Sequence, residues 1–583
     1  MRSLTFSIRA ISILLISLCS PYLAGAINYY IDTTGSDSNS GKSPALAWKT
    51  IDKVNSIWFA AGDSIKFKCN QTWRGNIKGK GGSAGNYIVF TSYGTGKKPL
   101  ILGSQNKNNS SDWVNDGSNL WKSVNTFSAD IGNIIFTLNG NISFGHKKWT
   151  KSDLLNQGDF WYDRDGSNYL MMYSTQNPAS IYTDIECAIN NYMVTFSGQE
   201  YMVVENLEFK YGGSYCIKGH QASNLIFQNL KITYMGGGDM DHAQNYTPNR
   251  NIRWGNAIEF NGNSHDMIVR NNEIGEMYDC GVGCELFVAN VSMYNISFYN
   301  NIIYNSGLAS LDFFGRDNTL TSSYDNIRFE NNTCYDAGAG WGYEERPDKH
   351  GGQLAFSFTN ISNTSITFQN NLFYSSSAIG HKYPTYLIYK YNKDLATLNL
   401  DYNSVYHEDS TNYLCILYTN DSLVDPYVFF QYNKSDISNF KTIGNKDAHS
   451  LFSNPLMTDP KAFDFHLQSN SPCIDAGNTA GFNYDFSNDL RPVNGKFDIG
   501  AYESQLTINT LELQKPKELF RIFPNPTVGE FTVTSDSQTI QKIEIYSSIG
   551  QLIDENTQLS PGLYFIKIFT SEDLPIVQPL VVK

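Results

Sequence analysis

Between Tyr201 and His407 one short phrase keeps returning: an apolar pair, an intervening residue, asparagine, then a second apolar pair. It reads VVENLEF, IFQNLKI, IVRNNEI, SFYNNII, RFENNTC and TFQNNLF, and in worn form LDYNSVY. Its asparagines, Asn206, Asn229, Asn271, Asn300, Asn331 and Asn370, stand 23, 42, 29, 31 and 39 residues apart. Each phrase is a strand of about five residues, rich in Ile, Val, Phe and Tyr, and no helical period of comparable length lies between phrases. Units this short cannot bury a core alone. They must stack, one per coil, into a parallel β-solenoid. Equivalent positions on successive coils then lie about 4.8 Å apart, and the repeated asparagines are expected to pass amide hydrogen bonds from coil to coil as scaffold.

A second strand of each coil comes into register once the asparagines are aligned. In SYCIKGH, NAIEFNG, GCELFV and SLDFFGR the apolar residues Ile217, Ile258, Phe260, Cys284, Leu286, Leu311 and Phe313 alternate with Lys218, Glu259, Glu285 and Asp312. Alternation with a period of two turns the first group inward and the second outward, and predicts one outward column of Lys218, Glu259, Glu285 and Asp312. Carboxylates on neighbouring rungs raise one another's pKa, the condition that separates a general acid from a base or nucleophile. Gaps of about 5 Å suit a retaining glycosidase and about 6.5 to 9.5 Å an inverting one. A solvated acidic face, or calcium held by Glu259, Glu285 and Asp312, would explain the same residues.

Two insertions border this column. MGGGDMDHAQNYTPNRNIRW offers Asp239, Asp241, His242, Arg250 and Arg253; AGAGWGYEERPDKHGG offers Trp341, Tyr343, Glu344, Glu345, Arg346 and His350. Loops on a rigid scaffold are where ligand contacts gather. Lys218, His242, Arg253, Arg316, Trp341, Tyr343, Glu345 and His350 are therefore the expected substrate-binding residues around Glu285, Asp312 and Glu259.

The ends differ from the middle. Arg2 and Arg9, the apolar run Ile11 to Leu18, and Ala24-Gly25-Ala26 read as a secretory leader over residues 1–26. Its loss takes the formal charge from −13 to −15, and an acidic chain without a basic block excludes nucleic acid as a partner. No later apolar run is long enough for a transmembrane helix. Cys19 leaves with the leader, and the remaining eight cysteines lack zinc-site spacing; one or two disulfides at most are expected. With 37 Tyr, 35 Phe and 9 Trp, aromatic faces are available both for the core and for stacking on sugars.

At the far end FRIFPNPTVGEFTVTS, KIEIYSSIGQLI and LSPGLYFIKIF alternate as short strands of a small β-sandwich. The NP-T-x-G-x-F and GLY-x-x-K elements resemble the C-terminal sorting domain of the type IX secretion system, which implies export through that machinery to the cell surface or beyond. INYYIDTTGSDSNSGKSPALAWKTIDKVN near the start, with DFHLQSNSPCIDAGN and RPVNGKFDIGAYE near residues 454–503, resembles the opening and closing segments of secreted right-handed β-helix polysaccharide lyases and glycoside hydrolases. That resemblance implies a right-handed single-stranded parallel β-helix, all β, followed by the C-terminal β-sandwich.

The expected organisation is a leader over 1–26, a cap and first coils over 27–111, an inserted β-rich segment over 112–185, the parallel β-helix with the site over 186–503, a linker over 504–518 and the sorting domain over 519–583. The leading functional expectation is an exported monomeric glycoside hydrolase acting on a polysaccharide without a cofactor. A calcium-dependent lyase of uronate-containing polysaccharides, with Lys218 or Arg316 as base or neutraliser, and a non-catalytic glycan-binding solenoid remain as alternatives.

Overall fold

The computed structural model describes residues 25–505, apart from 165, 241–250, 317–320, 348, 350, 360–361, 364, 377–383, 391–397, 420–427 and 445. Beyond these it describes 520–582 with gaps at 524–526, 528–529, 536–538, 548–551, 555–557 and 571–575. The leader up to residue 24, His242 and His350 lie outside the described residues, as does the expected linker from 506 onward.

The chain coils into a parallel β-helix walled by sheets of 11, 9 and 10 strands. The first sheet runs from Asn28–Ile31 through Ser223–Gln228, His265–Arg270 and Ser292–Tyr299 to Leu398–Asp401, and holds the strand before each repeated asparagine. The second holds the strand after it, such as Glu273–Met277 and Ile302–Ser306. The third contains Ile217–His220, Ile258–Asn261, Val282–Leu286, Ala309–Arg316 and Gly352–Thr359, and closes on an antiparallel final strand, Val428–Asn433. Inside, like residues stack on like: Phe298, Phe329 and Phe368 lie face to face, with centroids 4.5 and 5.0 Å apart. A helix, Ile51–Ser56, caps the first coils, its N-terminal amide of Lys53 bonded by Thr50.

The asparagines divide their labour in a way the repeated phrase does not reveal. The first asparagine of each phrase takes a left-handed backbone, with φ between 51° and 57° from Asn206 to Asn370, and so turns the chain between two sheets. The amide ladder runs chiefly through the next residue. Asn272 Nδ2 donates to Asn301 Oδ1 and Asn301 Nδ2 to Asn332 Oδ1, both at 2.9 Å, and the series continues through Asn371 to Asn403. Each of these buried amides also bonds backbone of a neighbouring coil, so every polar atom has a partner. In the earlier coils the same position is Leu207 or Leu230, and there the ladder bond passes instead from Asn229 to Asn206.

Two further parts complete this unit. Residues 104–189 leave the coils and form a four-stranded and a five-stranded sheet around their own core of Trp113, Phe136, Phe160 and Met172. One hairpin of this insertion sets Phe160 opposite Met172 and Tyr162 opposite Leu170. The closing segment runs back along the outside of the second sheet, burying Phe465, Cys473 and Ile499 against Tyr304, Tyr335 and Leu372. A fully buried ion pair, Arg491 Nε to Glu503 Oε2 at 2.8 Å, pins it there. All eight described cysteines are free thiols, and Cys216, Cys284 and Cys334 pack in the core. Residues 506–583 form a separate unit, whose described strands make a two-stranded and a four-stranded antiparallel sheet.

Candidate active site

The outward face of the third sheet carries the ionisable cluster, in a different register from that expected. Lys218 lies opposite Glu259, Glu259 opposite Gly283, Gly283 opposite Asp312 and Asp312 opposite Ala355. Glu285 is two residues further along its strand, between Asn261 and Phe314. The single column of Lys218, Glu259, Glu285 and Asp312 is thus corrected to two adjacent columns on the same face. The reason is that a slip of two residues preserves the inward and outward sets, so alternation alone cannot detect it. Gly283 occupies the vacated position, and a Cβ there would meet the Asp312 carbonyl oxygen at 2.9 Å and the Asp312 Cβ at 3.4 Å. The missing side chain leaves a notch flanked by Glu259, Glu285 and Asp312.

The charges around the notch are unequal. Glu259 is fully buried, its Oε1 2.6 Å from Lys218 Nζ and its Oε2 accepting from Asn256 Nδ2 at 2.7 Å. Lys218 Nζ also lies 3.6 Å from the Tyr215 ring centre and 5.3 Å from that of Trp254, a cation–π seat. Burial pulls the Lys218 pKa down, but attraction from Glu259 and Glu285 outweighs it, so this lysine stays an ammonium. Burial first, then repulsion from Glu259, drives the Glu285 carboxyl well above the usual carboxylate range, and its hydrogen bond to Glu259 acts in the same direction. Asp312 is pushed up to about 7 by burial and by repulsion from Glu259 and Asp279, against hydrogen bonding from Cys280 and attraction from Arg346. Glu285 and Asp312 nevertheless remain partly exposed, so a ligand can reach them.

The bordering loops contribute less than expected. Arg253 is buried, donates to the carbonyls of Gly237 at 2.8 Å and Gly132 at 3.0 Å, and lies 3.6 Å from the Glu345 carboxylate. Glu345 in turn pairs with His146 at 2.6 Å. Both residues fasten the 104–189 insertion to the coils, which corrects their assignment to substrate. Trp341 is buried too, stacked on Phe144 at 5.5 Å and bonded through Nε1 to the Glu276 carbonyl at 2.8 Å, so its ring has no face for a sugar. Tyr343 is half-buried with Lys349 Nζ 4.5 Å above its ring. Arg316 ends the Ala309–Arg316 strand, and its side chain lies outside the described residues.

Other residues take their place. Asp279 and Arg346 form an ion pair beside Asp312, and Tyr215, Trp254 and Asn256 hold the Lys218–Glu259 pair. Phe314 continues the Glu285 column, with Phe287 5.3 Å away and more than half exposed. The motif FFGR displayed Phe314 from the start, but only the register puts it next to Glu285. The calcium alternative does not fit. A cation, Lys218, already sits on Glu259, Glu285 hydrogen-bonds the same carboxylate, and no three described ligands are spaced to hold a metal ion.

Residues 521–583 match the family described as the secretion system C-terminal sorting domain. The protein is thus a parallel β-helix carrying a type IX sorting domain, which assigns it to export to the cell surface or outside. Among the described residues no helix is long and apolar enough to cross a membrane. No curated protein matches the chain. Among solved structures it is similar to a glycoside hydrolase at 9% identity, covering 66% of this chain and 94% of that one with a TM-score of 0.41. It is also similar to pectate lyase Pel9A, at 13% identity, 82% and 96% coverage and a TM-score of 0.38. An alginate lyase from Paenibacillus sp. str. FPU-7 follows, at 12% identity, 63% and 88% coverage and a TM-score of 0.32.

Proposed function

We propose that this exported protein is a glycoside hydrolase that cleaves a polysaccharide laid across the outward face of the third sheet. The observation that carries the reading is the crowding of Glu259, Glu285 and Asp312 around the notch at Gly283, where burial and repulsion raise Glu285 well above the usual carboxylate range and Asp312 to about 7. Glu285, hydrogen-bonded to Glu259, is the general acid that protonates the glycosidic oxygen. Asp312 is the base that takes a proton from the attacking water. Glu259 keeps the proton on Glu285, and Lys218 balances the charge of Glu259. Phe314 and Phe287 supply an apolar face against which a sugar ring packs.

Glu285 and Asp312 are one rung and two residues apart, a backbone offset of about 8 Å at strand spacing and rise. Carboxyl groups set as far apart as this offset would suit an inverting mechanism, which needs about 6.5 to 9.5 Å between them. Elimination is disfavoured by Lys218, because an ion-paired ammonium with a raised pKa is a poor base. The test is incubation with neutral, uronic and sulfated polysaccharides while following reducing ends, ultraviolet absorbance and, by NMR, the first anomer released. New reducing ends with inverted anomeric configuration and no absorbance are expected. Absorbance from unsaturated uronates accompanying each new end would replace the hydrolase with a lyase.

A further inference from the structure

On the opposite flank of the solenoid a cleft of about 520 Å³ opens between the first sheet and the closing segment. Its volume falls within the range of about 300 to 1,000 Å³ that small-molecule sites occupy. One wall is an outward ladder of four successive coils, Glu205, Gln228, Arg270 and Tyr299. These side chains are wired to one another: Gln228 Nε2 donates to Glu205 Oε2 at 2.5 Å, Arg270 Nε to Gln228 Oε1 at 2.7 Å, and Arg270 Nη1 to the Tyr299 hydroxyl at 3.0 Å. Arg270 Nη2 has no protein partner among the described residues. The wall is therefore rigid, and its guanidinium keeps a donor to spare.

The other wall is the segment 481–488. Asn300 Nδ2 bonds the Tyr484 carbonyl at 2.6 Å, and Asn271 Nδ2 bonds those of Asp485 and Phe486 at 2.7 and 3.1 Å. Phe482 stacks on Tyr299 at 4.5 Å. The backbone of this segment is thus tied down while the Tyr484 side chain stays 54% exposed at the rim. The segment bonds the coils of Asn271 and Asn300, whereas the cleft continues over Asn206 and Asn229.

We infer that this cleft is a second glycan-binding site, separate from the catalytic notch, and that it takes a neutral oligosaccharide. Asn483 and Asn488 bring amides that both donate and accept, as sugar hydroxyls do, while the other five lining amides, Asn206, Gln228, Asn229, Asn271 and Asn300, already bond protein groups and fix the shape of the cleft. Among its lining residues one carboxylate, Glu205, and one guanidinium, Arg270, balance, and the neighbouring Lys98 ammonium is occupied by Asn229, at 2.7 Å from its carbonyl and 2.9 Å from its Oδ1. Tyr484 offers an aromatic face at the rim. The cleft stands whichever chemistry the third sheet performs.

Hydrogen exchange read by mass spectrometry tests it on the full chain carrying Glu285→Gln, which suppresses turnover. The probes are hexasaccharides of xylose, glucose and mannose, with hexagalacturonate as the charged comparison. At least one neutral probe is expected to protect amides of 481–488. Tyr484→Ala, which keeps the carbonyl bound by Asn300, and Arg270→Gln are each expected to raise the half-saturating concentration at least tenfold there. Protection of Val282–Leu286 should not change. Protection confined to the third sheet overturns the second site, as does its absence with every probe; protection of 481–488 by hexagalacturonate alone overturns the ligand class. Reducing-end release by the unmodified protein is scored separately, so failure of the hydrolase reading remains distinguishable.

Discussion

The outer faces of the second and third sheets belong to the same coils yet are finished in opposite ways. Over the second sheet the closing segment buries Tyr304, Tyr335 and Leu372, and its one deeply buried charge pair, Arg491 with Glu503, is fully bonded. Over the third sheet no such cover lies on the notch among the described residues, and Glu285, Glu259 and Asp312 crowd together around a glycine. The first arrangement stabilises the coils. The second costs stability, because like charges held out of water resist ionisation. A scaffold held by the bonded ladder from Asn272 to Asn403 can tolerate that cost in one place, and crowded, buried carboxyls of this kind are a reason to look for function there.

The contrast can be broken first at the notch. Glu285→Gln and Asp312→Asn should each lower kcat by about 10²- to 10⁴-fold, the range associated with losing an acid or base, while circular dichroism stays native. Full activity in both variants would strip the face of its catalytic role. The ladder should respond the other way. Asn301→Ala removes donors to Val269 and Asn332 and orphans the Asn272 amide, so unfolding in urea should be easier by about 2 to 3 kcal/mol, with kcat at low temperature unchanged.

The same Asp312→Asn protein sharpens the point through stability. Because its folded pKa is raised, Asp312 contributes fully below its ordinary value of 3.8 and loses that contribution as pH rises through about 7. Replacing it should stabilise the fold little near pH 4 and by about 2 to 4 kcal/mol at pH 8. A gain that is flat with pH would mean that Asp312 ionises freely. The smallest effect belongs to the insertion. His146→Ala removes an exposed partner of Glu345 and should cost under about 1 kcal/mol, a loss that shrinks as pH rises through the raised folded pKa of His146.

Much of this was legible residue by residue. The repeated asparagine marked the coils, and alternation in NAIEFNG and SLDFFGR separated the inward Ile258, Phe260, Leu311 and Phe313 from the outward Glu259 and Asp312. It missed which asparagine of each pair forms the ladder, because neighbours in the sequence differ only in which way the backbone turns them. It also set Glu285 over Asp312 rather than beside Gly283, since Val282, Cys284 and Leu286 are all apolar and any two of them satisfy the same pattern. Trp341 and Glu345 were plausible ligand contacts in a loop whose burial against Phe144 and Arg253 depends on an insertion some two hundred residues away.

By itself, then, the sequence determined that this chain stacks short strands into a solenoid, which side chains face out of it, and that its last residues are an export signal. These follow from local periodicity and composition, which act over a few bonds. Only the tertiary structure decided how far each strand slides against the next, which loops are consumed as fasteners, and that three carboxyls share one notch. Those outcomes come from packing between segments far apart in the chain, where a slip of two residues changes no local preference but moves a carboxylate by about 7 Å.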